Sequence, residues 1–390
     1  MSRPLQTPKD PLLASPRMAA TVCFVVGARP NFMKAAPVIR ALREHEPELG
    51  VLLVHTGQHY DAEMSDVFLG ELGLPTPDVF LGVGSGTHAE QTARALVGVE
   101  GVLRERPTAL VVVPGDVNST LAAALAAVKL HVPVAHLEAG LRSFDPTMPE
   151  EHNRRLTDHL SSLLLTHSAS AVDNLEREGI AGDLVQLVGN TMIDSLLAHV
   201  DGARAAQPWR PYGLEPDEYG LVTLHRPALV DDPLLLRETV SQLVALSADR
   251  PLLFPAHPRT IERLAQLGLE RELETSHLVV TPPLGYLAFL GLEAAARFVL
   301  TDSGGVQEET SALGVPCFTL RDSTERPVTV ELGTNVLLGL EPERIAAIPR
   351  LLTSSKPAEP IPFWDGHAGE RAARAISESL SRAPAGAAAS

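Results

Sequence analysis

Three acidic residues stand where a folded chain would bring side chains to a shared cleft. Asp116 follows the apolar run LVVVPG, Glu138 closes VPVAHLEAG, and Glu150 opens TMPEEHNRRLTDHL beside Arg154 and Arg155. A lone acid after a strand is usually a turn or helix-cap residue. Three acids in one half of the chain point instead to proton transfer, because clustered carboxylates raise one another's pKa towards neutrality. In the other half, His225 ends LVTLHRP. An imidazole there can steady a leaving phosphate or move a proton, although a purely structural histidine would fit the same position. The remaining histidines form no HExxH and the chain has no paired CxxC, so no metal is expected.

Two further segments have the character of anion sites. In VCFVVGARPNFMKAAPVI an apolar strand runs into Gly27, and Arg29 and Lys34 flank the opening of a helix. Free backbone N–H groups and the helix dipole favour an anion there, and the two cations add to it. In VLTDSGGVQEETSALG a strand ends at Thr301, and Ser303, Gly304 and Gly305 lead into a second helix. The two glycines let the backbone approach a diphosphate closely. Glu308 and Glu309 follow in the first turn, able to cap the helix or to accept ribose hydroxyls. Neither segment is a Walker loop or a dinucleotide fingerprint, which argues against ATP and NAD. One anion site in each half suits a nucleoside diphosphate bridging two domains.

The elements that must position these residues follow from the pattern of apolar runs. Strands are expected at 21–26, 51–56, 109–113, 132–137, 163–166 and 184–188, with helices between them, as at 37–44, 87–104, 119–129 and 151–160. The stretch 196–216 carries no strand and contains Gly, Pro and Trp, as an interdomain linker and hinge would. The alternation then restarts with strands at 219–223, 252–256, 278–281, 298–301 and 316–320. The expected fold class is therefore α/β, with two doubly wound parallel-sheet domains and a cleft at the carboxyl ends of both sheets. Domains are placed at 20–195 and 217–365, with a last helix at 366–383 and a Pro-rich, patternless extension at 1–19.

The 390 residues are 45% apolar but only 4% aromatic, so both cores must be aliphatic. No apolar run approaches the roughly 20 residues of a membrane helix, and no signal-peptide core is evident at the start. Cys23 and Cys317 lie in separate apolar runs, as buried free thiols would in a reducing compartment. A cytoplasmic location is expected. The net charge of -16 argues against nucleic acid as partner, though a small phosphorylated ligand needs only local cations.

Seven motifs in order carry a resemblance to a known family: GARPNFMKAAPVIRAL, TGQHYDAEMSDVF, PGDVNSTLAAALAA, HLEAGLRSFDPTMPEEHNRRLTDHL, VGNTMIDSL, TDSGGVQEET and RDSTERPVTVELGTNV. From about Thr21 to the final helix, the chain resembles the non-hydrolysing UDP-N-acetylglucosamine 2-epimerases. The resemblance implies a GT-B architecture, with two Rossmann-like domains, the last helix crossing back to the first domain, and a homodimer. It implies interconversion of UDP-N-acetylglucosamine and UDP-N-acetylmannosamine through a glycal, for surface polysaccharide synthesis, with no cofactor beyond the UDP of the substrate. Matched by motif, Asp116, Glu138 and Glu150 are the catalytic acids and His225 the histidine. Arg29, Lys34, Ser303, Gly304, Gly305, Glu309 and Arg326 match UDP-holding positions, and Phe289 matches a ring lying against uracil. By its residue type alone, Phe289 reads as core.

Two departures qualify the likeness. Where the family has His-Arg-x-Glu-Asn, this chain has His225, Arg226, Pro227, Ala228 and Leu229. Gln58 and His59 match a second, allosteric sugar-nucleotide site, but Asp61 and Gly86 stand where glutamines are expected. The alternatives are a 2-epimerase of another UDP-sugar, such as a diacetamido uronate, and a GT-B glycosyltransferase. A transferase would need only one base, and a non-catalytic sensor would be expected to lack one of the three acids.

Overall fold

The computed structural model describes residues 20–57, 70, 76–274, 276–354 and 358–382. The first lobe is built on strands β1 (Thr21–Val26), β2 (Gly50–His55), β3 (Val79–Phe80), β4 (Leu110–Pro114), β5 (Val134–Ala139), β6 (Leu163–Thr166) and β7 (Val185–Leu187). They form a parallel sheet in the order β3-β2-β1-β4-β5-β6-β7. The second lobe has β8 (Gly220–Thr223), β9 (Leu252–Pro255), β10 (Leu278–Thr281), β11 (Phe298–Thr301), β12 (Cys317–Thr319) and β13 (Asn335–Leu337), parallel in the order β10-β9-β8-β11-β12-β13. This is the GT-B arrangement.

The strands read as unbroken apolar runs because helices cover both faces of each sheet. Along β1, Val22, Phe24 and Val26 enter one buried cluster, and Cys23 and Val25 enter the cluster on the opposite face. Both cysteines are buried free thiols, and burial pushes each up to about 12. Strand order reverses between β1 and β4 in the first sheet and between β8 and β11 in the second. The chain leaving these four strands runs into Gly27–Arg29, Asp116, His225 and Asp302–Ser303, so the candidate residues lie at the two crevices where open sheets bind ligands.

Several elements differ from expectation at their edges. The first helix spans Arg29–His45, starting well before residue 37. Asn31 accepts from the backbone N–H groups of Gly27 (3.1 Å) and Ala28 (3.0 Å), a turn signal concealed by Pro30 and Pro37. Pro37 inside this helix has no N–H to offer the Met33 carbonyl. Ser195 donates its hydroxyl to that oxygen at 2.7 Å and so ties the helix Thr191–Ala205 to the first lobe. The edge strands β3 and β13, two and three residues long, were too short to leave a pattern.

Much of the stretch 196–216 is ordered: helix as far as Ala205, then a 3-10 turn at Arg210–Tyr212, with Trp209 buried beside Leu214 and Tyr219. The helix Ala368–Arg382 packs Ala372, Ala373 and Ile376 into the first lobe's core. Its N-terminus is held by Asp194, which accepts from Ala368 and Gly369. A Cβ on Gly369 would sit 2.7 Å from the Pro37 backbone, so only glycine allows this approach. Among the described residues, no helix is long and apolar enough to cross a membrane.

Candidate active site

Asp116 and Glu138 leave neighbouring strands in unusual backbone conformations. Gly115, just before Asp116, has φ +68°, and Glu138 itself has φ +76°. A side chain held in the left-handed region costs of order 1 kcal/mol or more, and persists where the surroundings fix it. Here Lys34 forms a buried ion pair with one oxygen of Glu138. Arg154 lies 2.5 Å from Asp116, and Asn153 donates to the Asp116 carbonyl at 2.9 Å. The ring of His136, fully buried, contacts Asp158 at 2.6 Å and the Gly115 carbonyl at 2.8 Å, bracing the turn from beneath.

The second lobe closes over this group. Ser303 caps the helix Gly304–Leu313 through its backbone conformation, and its hydroxyl makes no capping bond. A Cβ on Gly304 would sit 2.5 Å from the Arg326 guanidinium, so a larger residue there would have to displace this paired group. Arg326 pairs with Glu308 at 3.0 Å, Glu325 at 3.4 Å and, across the cleft, Glu138 at 3.6 Å. Asn190 of the first lobe donates to Glu308 at 3.1 Å. His225 lies with Nδ1 2.9 Å from Asp302, while the backbone N–H groups of His225 and Arg226 both donate to the other Asp302 oxygen at 2.7 Å. The His225 side chain is 42% exposed, so part of its ring remains open to an incoming group.

The structure therefore brings Asp116, Glu138, Lys34 and Arg326 together next to the Ser303–Gly305 turn. Arg29 reaches the second lobe, its guanidinium 5.6 Å from the centre of the Tyr286 ring. Phe289 is half-buried against the second lobe's apolar cluster. Glu150 is not joined to Asp116 or Glu138 by any hydrogen bond or ion pair among the described residues. Its position three and four residues before Asn153 and Arg154 puts it on the same helix face, one turn further out. Gln58, His59 and Asp61 lie outside the described residues. Ala228 is exposed and Leu229 is buried in the second core, so the departure after His225 replaces polar groups with a packing contact.

The electrostatics correct one expectation. Asp116 and Glu138 do not raise one another into the neutral range. Burial pushes each up, but Arg154 overrides it for Asp116, and Lys34 and then Arg326 for Glu138, so both are held below the usual carboxylate range. The raised acids are elsewhere: burial lifts Glu308 and carries Glu309 to about 7. Sequence reasoning missed Asp302, Asn190 and Glu325 and placed Arg154 only beside Glu150, because their roles depend on partners distant in the chain. Asp302 alone left a local signal, as the acid between a strand end and Ser303. Among the described residues, no three His, Cys, Asp or Glu side chains converge as a metal site requires.

Two doubly wound lobes that meet at an acid group on one side and a glycine-opened helix on the other define a GT-B protein. A sequence profile of UDP-N-acetylglucosamine 2-epimerase matches residues 40–377. A UDP-N-acetylglucosamine 2-epimerase of Methanocaldococcus jannaschii is 43% identical over 359 residues, covering 90% of this chain and 98% of its own. The crystal structure of the M. jannaschii enzyme with UDP-GlcNAc and UDP aligns with TM-score 0.84 at 42% identity, covering 92% of this chain and 99% of that one. A UDP-2,3-diacetamido-2,3-dideoxy-D-glucuronate 2-epimerase of Pseudomonas aeruginosa is 44% identical over 322 residues, covering 82% of this chain and 88% of its own. The chain belongs to the UDP-N-acetylglucosamine 2-epimerase family, and it is an isomerase.

Proposed function

We propose that the chain interconverts UDP-N-acetylglucosamine and UDP-N-acetylmannosamine, supplying the latter for surface polysaccharide synthesis. The proton leaves the acetamido-bearing carbon, the bond from the anomeric carbon to UDP breaks, and a double bond forms between the two carbons. UDP then returns to the anomeric carbon and a proton to its neighbour from the opposite face. No electrons are gained or lost overall, so no redox group is needed. Two faces require two proton-handling groups, which Asp116, Glu138 and Glu150 supply between them. The observation that carries this reading is the contact of Glu138 with Arg326 across the cleft, beside the Ser303–Gly305 turn.

In this reading the helix N-terminus at Ser303–Gly305, Arg326, Lys34 and Arg29 hold the diphosphate, whose negative charge they match. His225, oriented by Asp302, offers Nε2 to the departing phosphate. Glu309 accepts from the ribose, and Phe289 stacks on uracil. Phe289→Ala is expected to weaken UDP binding by about 1–2 kcal/mol in calorimetric titration. Unchanged affinity would return this ring to ordinary packing beside Leu292.

The likeness to the diacetamido-uronate epimerase favours a second reading, in which only the sugar contacts differ. Incubation with UDP-N-acetylglucosamine in deuterated water separates the two. Deuterium should enter the sugar beside the anomeric carbon as the mannosamine form accumulates. If neither is seen and the diacetamido uronate is epimerised instead, the second reading replaces the first.

A further inference from the structure

Glu293 has no part in the mechanism above, yet it is the least accommodated acid in the second lobe. It is 0% exposed, on the helix Tyr286–Ala295, and neither oxygen meets a hydrogen-bond donor among the described residues. The carboxyl of Glu309, on the helix Gly304–Leu313, stands close enough to act on it electrostatically. Two carboxyl groups this close, shielded from water, must share a proton, since two charges there would be prohibitively costly.

Glu293 cannot retreat from this contact. A Cβ on Gly291, two residues earlier, would strike the Ala203 carbonyl and the ring of Pro208, so the helix is pressed against its neighbour. Tyr219 donates its hydroxyl to the Leu292 carbonyl and fixes the same turn. Phe289 and Glu293 are four residues apart and share one helix face.

We propose that Glu293 is a positioning residue: carrying the shared proton, it donates to Glu309 and holds that carboxylate towards the ribose hydroxyls of a uridine nucleotide. The proposal rests on the nucleotide-binding reading given above and deepens it. An ionised Glu309 can accept from two hydroxyls at once, whereas a protonated one cannot. The surroundings keep the two acids distinct. Burial, and then the nearby Glu309, push Glu293 well above the usual range. For Glu309, burial and Glu308 act upward, while Arg29 and then Glu293 act downward, leaving it at about 7. Tyr286 on the helix of Glu293 and the thiol of Cys317 on β12 complete the titratable groups facing the pair.

Calorimetric titration of the full chain with UDP and with 2′,3′-dideoxy-UDP tests this, at about pH 6.5 and about pH 8. Glu293→Gln keeps a donor and should bind UDP within about twofold of the unaltered protein. Glu293→Leu lacks one and leaves Glu309 more readily protonated. Its UDP affinity should fall about tenfold at the lower pH and recover towards the higher. The dideoxy nucleotide should bind all three alike, because it offers no hydroxyl to Glu309. Wild-type UDP affinity in Glu293→Leu, an equal loss in Glu293→Gln, or an equal loss for the dideoxy nucleotide would each overturn the proposal. Failure of the unaltered protein to bind UDP would instead remove the nucleotide reading on which it rests.

Discussion

Glu138→Gln should lower turnover by about a thousandfold or more while leaving UDP affinity within about tenfold of its starting value. The two effects separate because the side chain stands between two cations. Lys34 and Arg326 both face its carboxylate, and Lys34 as a whole is only 6% exposed. Removing the negative charge takes away a proton-handling group, yet it also leaves Lys34 without its internal counter-ion and Arg326 with two of its three. A diphosphate entering beside them would be attracted more strongly, so any change in UDP binding should be towards tighter association. Asp116→Asn should show a similar loss of turnover, since Arg154 is left facing a neutral amide. Rapid-mixing kinetics with UDP-N-acetylglucosamine and calorimetry with UDP read the two quantities apart. Full turnover in either variant would exclude that residue from the chemistry.

Arg326→Met is expected to destabilise the folded chain by about 3–5 kcal/mol near neutral pH, the scale of leaving buried partners unpaired. Three acids lose their shared cation: Glu308, buried completely, Glu325 at 2% exposure, and Glu138 at 8%. The pH dependence fixes the cause. Against burial, cations hold two of these carboxyls below their unfolded values: Lys34 and then Arg326 for Glu138, chiefly Arg321 and Arg326 for Glu325. Their stabilisation is present above the unfolded value, roughly 4.3, and is lost as pH falls through the folded values. The gap between the unaltered protein and Arg326→Met should therefore be widest near neutrality and narrow below about pH 4. Urea midpoints across that range measure it. A gap independent of pH would mean that lost packing, not lost charge, is responsible.

Glu138 was found in the sequence by its position after a strand and Arg326 only through the family resemblance, and neither route showed that the two pair across the cleft. Apolar runs of four to six residues located most of the strands, and a strand's carboxyl end is where an open sheet presents functional groups. That reasoning suffices for Asp116, Glu138 and His225. It is weaker where one residue's rotation decides the role. Glu308 and Glu309 are adjacent on one helix and differ by about 100° around its axis. The first turns to Asn190 and Arg326, the second to Glu293 and Arg29. Glu150 and Glu151 divide in the same way, the buried Glu151 accepting from Ser143 and Arg154. Only tertiary packing settles such pairs, and only the cations of both lobes together reveal that the catalytic candidates are held low rather than raised.

The polypeptide passes between the lobes twice: outward after the helix Thr191–Ala205, and homeward into the helix Ala368–Arg382. A door hung on two pins swings about the line through them and resists being twisted or pulled off. The same constraint applies here, so opening should preserve the facing of Glu138 and Arg326 and change chiefly their separation. Cutting either passage would free the lobes to turn past each other, and the register of the two half-sites would be lost before either sheet unfolded.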